Sequence, residues 1–253
     1  MANTSYTSNE NTVIITSTAV KRLAKDVKEI MKSPLTCNGI HYVHNESDML
    51  RGQTLIIGPS DTPYERGYYF FDFYFPKDYP HKPPDVKYRT NDSVTRFNPN
   101  LYKNGKVCVS VLNTWHGDQW TGCQTISSIL LTLCTLLNNT PLLNEPGVTK
   151  RHRDYNNYNE IITYKNFEVA ITGMLDSEDI QTKFVELYKI MCADFIENYD
   201  TIIRLLNKKK TENKYVTTSL YGMNIFINYE DIEIGFKRIY KYLSKVYKPK
   251  LQK

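Results

Sequence analysis

The sequence predicts an α+β protein, with an antiparallel meander set between one leading helix and a long helical C-terminal half. Three observations carry that expectation. Apolar residues recur at threes and fours from Val20 to Met31. β-Branched and aromatic runs broken by turn signals fill residues 40–88. The three-and-four step then returns at Ile126 and persists towards the end of the chain. At 253 residues, 41% hydrophobic and 23% charged, the chain can bury one substantial core with an annex.

Residues 1–16 are rich in Ser, Thr and Asn and are expected to be flexible. A helix follows, capped by Thr16 or Ser17, with Val20, Leu23, Val27, Ile30 and Met31 on one face, and Pro34 stops it. Its other face carries Lys21, Arg22, Lys25, Lys28 and Lys32, which suits either solvent or an acidic partner. The runs His41–His44, Leu50–Ile57 and Tyr68–Phe75 read as strands of a meander. His41 and His44 are three apart, so a strand sends them to opposite faces and they make no metal pair. Four prolines between Phe75 and Pro84 exclude a central strand and predict a stiff surface loop, which presents contacts at low entropic cost.

The next stretch, RFNPNLYKNGKVCVSVL from Arg96 to Leu112, places the thiol of Cys108 at the exit of a polar loop. Turn residues precede it, and Val107, Val109 and Val111 alternate around it, unlike the apolar setting of an inert core cysteine. A loop at 115–122 holds both tryptophans, Trp115 and Trp120. Thr125 then caps an apolar helix through Ile126, Ile129, Leu130, Leu133, Leu136 and Leu137, and the turn Asn144-Glu145-Pro146-Gly147 ends the unit. Cys123 and Cys134 are expected to pack.

The remaining residues predict one helix over 159–174 and a long one whose stripe runs from Ile180 to Leu206, with Cys192 off that stripe. A last helix spans 229–246, and basic residues from Lys237 to Lys253 have no acid among them after Gly235. That face reads as solvated or as a contact for nucleic acid or an acidic protein. The organisation expected is a flexible 1–16, a core domain over 17–150 and a helical extension over 151–253.

Several classes are disfavoured. Five cysteines with no CxxC pair fit neither a disulfide framework nor a zinc site, so no metal or bound cofactor is expected. The net charge of +5 is spread over both halves, which argues against bulk nucleic-acid binding. No apolar run has membrane-spanning length and the N-terminus is too polar for a signal peptide, so a soluble cytoplasmic or nuclear protein is expected.

Eight ordered landmarks then converge: Gly58-Pro59, Thr62-Pro63-Tyr64-Glu65, Phe75-Pro76, Tyr79-Pro80, Pro83-Pro84, Asn98-Pro99-Asn100, Cys108 and Trp115. Over residues 17–150 the chain resembles a ubiquitin-conjugating enzyme. RFNPNLYKNGKVC, LNTWHG and NEPG look most like the conjugating domains of large hybrid conjugating-ligase enzymes and giant inhibitor-of-apoptosis proteins. The resemblance implies the UBC fold, with a four-stranded antiparallel meander, and a cysteine that takes ubiquitin from an activating enzyme as a thioester and yields it to a substrate lysine. ATP would be spent by the activating enzyme, and a ligase is a further implied partner.

Residue by residue, the family pattern makes Cys108 the nucleophile and Asn100 the oxyanion donor or loop brace. It makes Tyr102 a desolvating wall for the lysine and Glu145, or Asn144, its orienting group. Asn98 and Pro99 fill a structural motif, with Asn98 where the family usually has His. Lys21, Arg22, Lys25, His81, Trp115 and Trp120 are candidate partner contacts. His81 and Gly122 depart from the residues common at ligase-contact positions, which implies a restricted ligase set or direct substrate recognition by the helical extension. A scaffold without activity and a conjugating enzyme for another ubiquitin-like modifier are the competing expectations.

Overall fold

The computed structural model describes residues 15–251, with side chains to residue 247, so the expectation for residues 1–14 and for the last lysines lies outside the described residues. Helix α1 (Ser17–Lys32) is capped by Thr16, whose hydroxyl accepts from the N–H of Ala19, and buries Leu23 and Ile30. Strands β1 (Ile40–His44), β2 (Arg51–Ile57), β3 (Tyr68–Tyr74) and β4 (Asp85–Tyr88) form one antiparallel meander in chain order. The sequence runs had indicated three of these, and β4 pairs Phe71 to Tyr88 and Tyr74 to Asp85 across β3.

Between β2 and β3 the chain folds back on itself. A Cβ on Gly58 would stand 1.7 Å from the carbonyl oxygen of Tyr64, so no other residue fits there. The aromatic core rests on one face of β3, where Tyr69 meets Tyr64 and Phe97 edge-on and Phe71 meets Tyr88. Helix α2 (Ile126–Leu136) begins in a reciprocal capping box between Thr125 and Ser128 and buries Ile126, Ile129, Leu130 and Leu133.

The C-terminal half departs from its periodicity in three places. Helix α3 (Tyr155–Lys165) starts early and passes into a π-helical stretch, Asn166–Gly173, before the short α4 (Met174–Asp176). Asn166 at that junction is buried, donating to Glu65 O at 2.8 Å and accepting from the Tyr69 hydroxyl at 2.6 Å. The long helix expected over 180–206 is three: α5 (Glu178–Lys183), α6 (Val185–Glu197) and α7 (Tyr199–Lys209). Phe184 breaks it to pack edge-on against Phe70 of β3, and Asn198 breaks it by bonding the backbone and carboxylate of Asp194.

The third departure is a hairpin that helical periodicity did not anticipate, β5 (Lys214–Thr218) and β6 (Met223–Ile227). Helix α8 (Tyr229–Leu251) closes the chain. Its basic face is partly satisfied within the fold, since Lys237 pairs with Glu233 and Arg238 with Asp176.

The extension covers the second face of the sheet. Tyr68 donates to Asp194 at 2.9 Å, Arg66 pairs with the same carboxylate at 3.0 Å, and Gln53 donates to Lys183 O at 3.0 Å. One hydrophobic cluster runs from Leu23 through Phe71 and Leu133 to Phe236 and Leu243, so residues on both sides of residue 150 share a core. Cys192 lies in that core, fully buried, rather than beside the stripe, whereas Cys123 is exposed rather than packed. Among the described residues no helix is long and apolar enough to cross a membrane.

Candidate active site

The backbone of 96–112 fixes Cys108 before any side chain contributes. Leu101 bridges to both Asn98 and Val107, Lys106 bridges to Lys87 of β4, and Gly105 turns the chain at φ +86°. The N–H of Cys108 donates to Asn100 O at 2.9 Å, and Asn100 Nδ2 donates back to Cys108 O at 2.6 Å. These reciprocal bonds make Asn100 a brace across the cysteine's own peptide. Thr114 closes the other side, accepting from Val109 N–H and donating to Val107 O, both at 2.9 Å. The residues flanking the thiol are therefore held by one hydroxyl, and the thiol is 2% exposed.

Asn98 is the keystone of the preceding turn. Its Nδ2 donates to Leu136 O at 2.8 Å and to the Tyr64 hydroxyl at 3.2 Å, while its Oδ1 accepts from Asn100 N–H at 2.9 Å and Asn144 Nδ2 at 3.2 Å. A buried amide with two donors and two acceptors in use is fully satisfied. α2, ending at Leu136, supplies one of the two acceptors. Pro99 is buried beside it.

Arg96, not singled out from the sequence, ties this turn to its surroundings. Its guanidinium donates to Asn98 O at 3.2 Å and Pro99 O at 2.7 Å and lies 3.3 Å from the centroid of the Tyr102 ring. Tyr102 is thus half-buried under a cation. Glu145 follows the turn Pro141–Asn144, and the Asn144–Asn98 bond brings that turn against the Asn98–Asn100 motif. The Asn144 amide donates to Asn98, and the Glu145 carboxylate accepts from the Tyr221 hydroxyl at 2.6 Å. Burial first and then Glu145 hold the Tyr221 phenol well above the usual tyrosine range, so it stays a donor.

A groove of about 720 Å³ opens between β4 and the turn after it, lined by Pro84, Val86, Lys106, Leu112, Asn113 and Val107, the residue before Cys108. Among the described residues no group of three or more His, Cys, Asp or Glu could hold a metal ion. The chemistry that a thiol on a backbone-braced loop offers is acyl transfer on sulfur.

The family described as "Ubiquitin-conjugating enzyme" matches residues 22–168, more than half of the chain. The chain belongs to the ubiquitin-conjugating enzyme family. Ubiquitin-conjugating enzyme E2 Z of Danio rerio is 41% identical over 184 residues, covering 72% of this chain and 55% of that protein. The Homo sapiens E2 Z is 42% identical over 182 residues, covering 71% and 50%. The chain spans about half the length of the curated relatives it matches. The dual E2 ubiquitin-conjugating enzyme/E3 ubiquitin-protein ligase BIRC6 of Homo sapiens is 43% identical over 136 residues, 50% of this chain and 3% of that protein, in line with the resemblance to large hybrid enzymes.

The partner contacts expected of a ubiquitin-conjugating enzyme divide into two groups. Lys21 and Lys25 are exposed on α1, with Lys25 3.8 Å from Glu29, and His81 is exposed on the proline-rich loop. Trp115 is half-buried beside His116.

Arg22 and Trp120 instead hold the fold together. Arg22 pairs with the buried Asp26 at 2.8 Å and donates to the carbonyls of Gly122 and Gln124, clamping α1 to the tryptophan loop. Asp26 also accepts from the Tyr79 hydroxyl at 2.5 Å. Trp120 is buried, donating to Pro80 O at 2.7 Å with its ring 5.9 Å from Tyr79. The sequence placed Arg22 on a free basic face because the acid it serves, one helical turn on, points inward with it.

Proposed function

We propose that this protein accepts ubiquitin as a thioester on Cys108 and transfers it to lysine of a protein substrate. The observation that carries the reading is the reciprocal brace between Asn100 and Cys108, which holds one thiol on a rigid loop within a family that works by thioester transfer. Sulfur suits the step because it is intrinsically nucleophilic and leaves readily from a thioester. Tyr102 and Glu145 stand on the acceptor side, where a lysine must lose water and align. Asn100 acts as a brace, with an oxyanion role as the alternative that its second amide hydrogen leaves open. The activating enzyme and a restricted ligase set are the partners, ATP is spent upstream by the activating enzyme, and the compartment is cytoplasmic or nuclear.

A second reading rests on the burial of the thiol, 2% exposed. A cysteine that never opens would leave a scaffold that binds a modifier or ligase without catalysis. The deciding test charges the purified chain with activating enzyme, ATP and ubiquitin on a non-reducing gel, beside Cys108→Ala and Cys108→Ser. A thiol-sensitive adduct that vanishes in Ala and becomes a stable ester in Ser supports conjugation. No adduct with ubiquitin or its relatives leaves the scaffold.

A further inference from the structure

The tip of the β5–β6 hairpin lies 76 residues beyond Glu145 in the chain, yet it touches the turn that bears Glu145 through one side chain. Tyr221 sits in the turn Leu220–Gly222 at φ +65°, a left-handed conformation that a bulky residue keeps only when its surroundings enforce it. Three groups of the site do so. Its hydroxyl donates to Glu145 at 2.6 Å, its carbonyl accepts from Lys103 Nζ at 3.1 Å, and its ring centroid lies 5.1 Å from the Arg96 guanidinium. The Tyr158 ring lies 5.9 Å away on a further side, and Asp154 fixes the preceding residue by accepting from Leu220 N–H at 2.8 Å.

We propose that Tyr221 is a positioning residue for the acceptor half of the reaction, holding the Glu145 carboxylate where an incoming lysine arrives. The inference rests on the reading that Cys108 carries a thioester. A glutamate has three rotors, and without a partner its carboxylate samples many positions. One hydrogen bond to the charged group selects among them, and a carboxylate has about four acceptor sites, so the phenol leaves others free for an ammonium or amine. Through Lys103 and Arg96 the same residue also anchors the hairpin to the loop that carries Cys108. The C-terminal extension therefore enters the chemistry, through the tip of a hairpin.

The test compares the full-length chain with Tyr221→Phe, Glu145→Gln and the double variant. Tyr221→Phe keeps the ring on Arg96 and Tyr158 and removes only the donor. Three rates are read: charging of Cys108, single-turnover discharge to increasing free lysine, and discharge to hydroxylamine, an amine reactive enough to need no orienting carboxylate. Discharge to lysine is expected to fall about tenfold in Tyr221→Phe, the weight of one hydrogen bond to a charged group. Charging and hydroxylamine discharge should change less than about twofold, and the double variant should be no slower than Glu145→Gln alone, since both changes remove one interaction.

Equal lysine discharge in Tyr221→Phe and the native chain would overturn the inference. So would losses that multiply in the double variant, or a parallel fall with hydroxylamine, which would mark a general loosening of the site. A native chain that forms no thioester would overturn the conjugating reading, and this inference with it. A native chain that charges and discharges while Tyr221→Phe matches it would overturn this inference alone.

Discussion

Replacing Asn100 by Ala separates a brace from an oxyanion donor, because the two roles predict losses in different measurements. In the fold the Asn100 amide spends a hydrogen on the buried carbonyl of Cys108 at 2.6 Å. Truncation leaves that carbonyl without its side-chain donor, and an orphaned buried acceptor costs about 1–3 kcal/mol. Taking about 2 kcal/mol, and about 2–4 °C per kcal/mol for a chain of this size, the midpoint of thermal unfolding should drop by about 4–8 °C. Discharge of the Cys108 thioester, measured well below that midpoint, should fall only about tenfold as the loop loosens. An oxyanion donor has the opposite signature, with stability almost unmoved and discharge down by about 10² to 10³. Urea unfolding and single-turnover discharge on one preparation decide between them. A stability change under about 0.5 kcal/mol together with a hundredfold slower discharge would refute the brace and assign the amide to the transition state.

The remaining predictions concern what holds the site in place. Arg22→Ala should destabilise the chain by about 3–5 kcal/mol, since Asp26 stays buried without its cation, whereas Lys21→Ala and Lys25→Ala should stay within about 0.5 kcal/mol. Denaturation midpoints check both, and a mild Arg22→Ala would refute its structural role. Stability should form a plateau against pH and fall on each side. Burial lowers His41 and His44 below 6.5, so the unfolded chain takes up protons first and stability declines as pH drops through that value. Burial raises Cys192 to about 11 from an ordinary 9.0, so the unfolded thiol ionises first and stability declines from about pH 9 upward. Unfolding curves from pH 5 to 11 test this, and stability that kept rising above pH 9 would contradict it. Deleting residues 151–253 should yield an insoluble or unfolded product, because Tyr68, Phe70 and the Arg66 guanidinium lose their cover. A monomeric, cooperatively unfolding 1–150 fragment would refute the shared core.

What the sequence made legible was local chemistry with a short reach. Thr16 and Thr125 announced their caps because the cap and the N–H it accepts from lie three residues apart. The meander was readable from β-branched and aromatic runs between turn signals, and the order of landmarks around Cys108 marked the candidate site. What it left unread depended on pairs distant in the chain. Asn98 reaches Leu136, Tyr64 and Asn144, and Arg22 reaches Gly122, so neither role shows in any local window. The hairpin carried a usable signal, with Val216 and Thr218 facing Met223, Ile225 and Ile227 inward and Tyr215 and Phe226 paired outward. It was masked by helical steps on both sides. The breaks at Phe184 and Asn198 were hidden for a related reason, since the apolar stripe continues across them while the backbone does not.

The second face of the sheet explains why the extension and the site cannot be treated as separate problems. Strand β3 is buried on both sides, by the aromatic core on one and by α5 and α6 on the other, so alternation of polar and apolar residues is lost along it. Once α6 is fixed there by Asp194, and α3 by Asn166 on Tyr69, the chain leaving α3 and returning through β5 has few places to go. Asn157 donates to Thr217 O at 2.9 Å and Lys214 pairs with Glu160 at 2.7 Å, which lays the hairpin along α3. α3 begins ten residues after Glu145, and the tip of the hairpin docked along it ends at that carboxylate. Tyr221 therefore reaches Glu145 as a consequence of how the sheet is covered. Substitutions that loosen α6 from β3, such as Asp194→Ala, should accordingly slow discharge to lysine more than they slow charging. Equal slowing of both steps in Asp194→Ala would break that chain of cause.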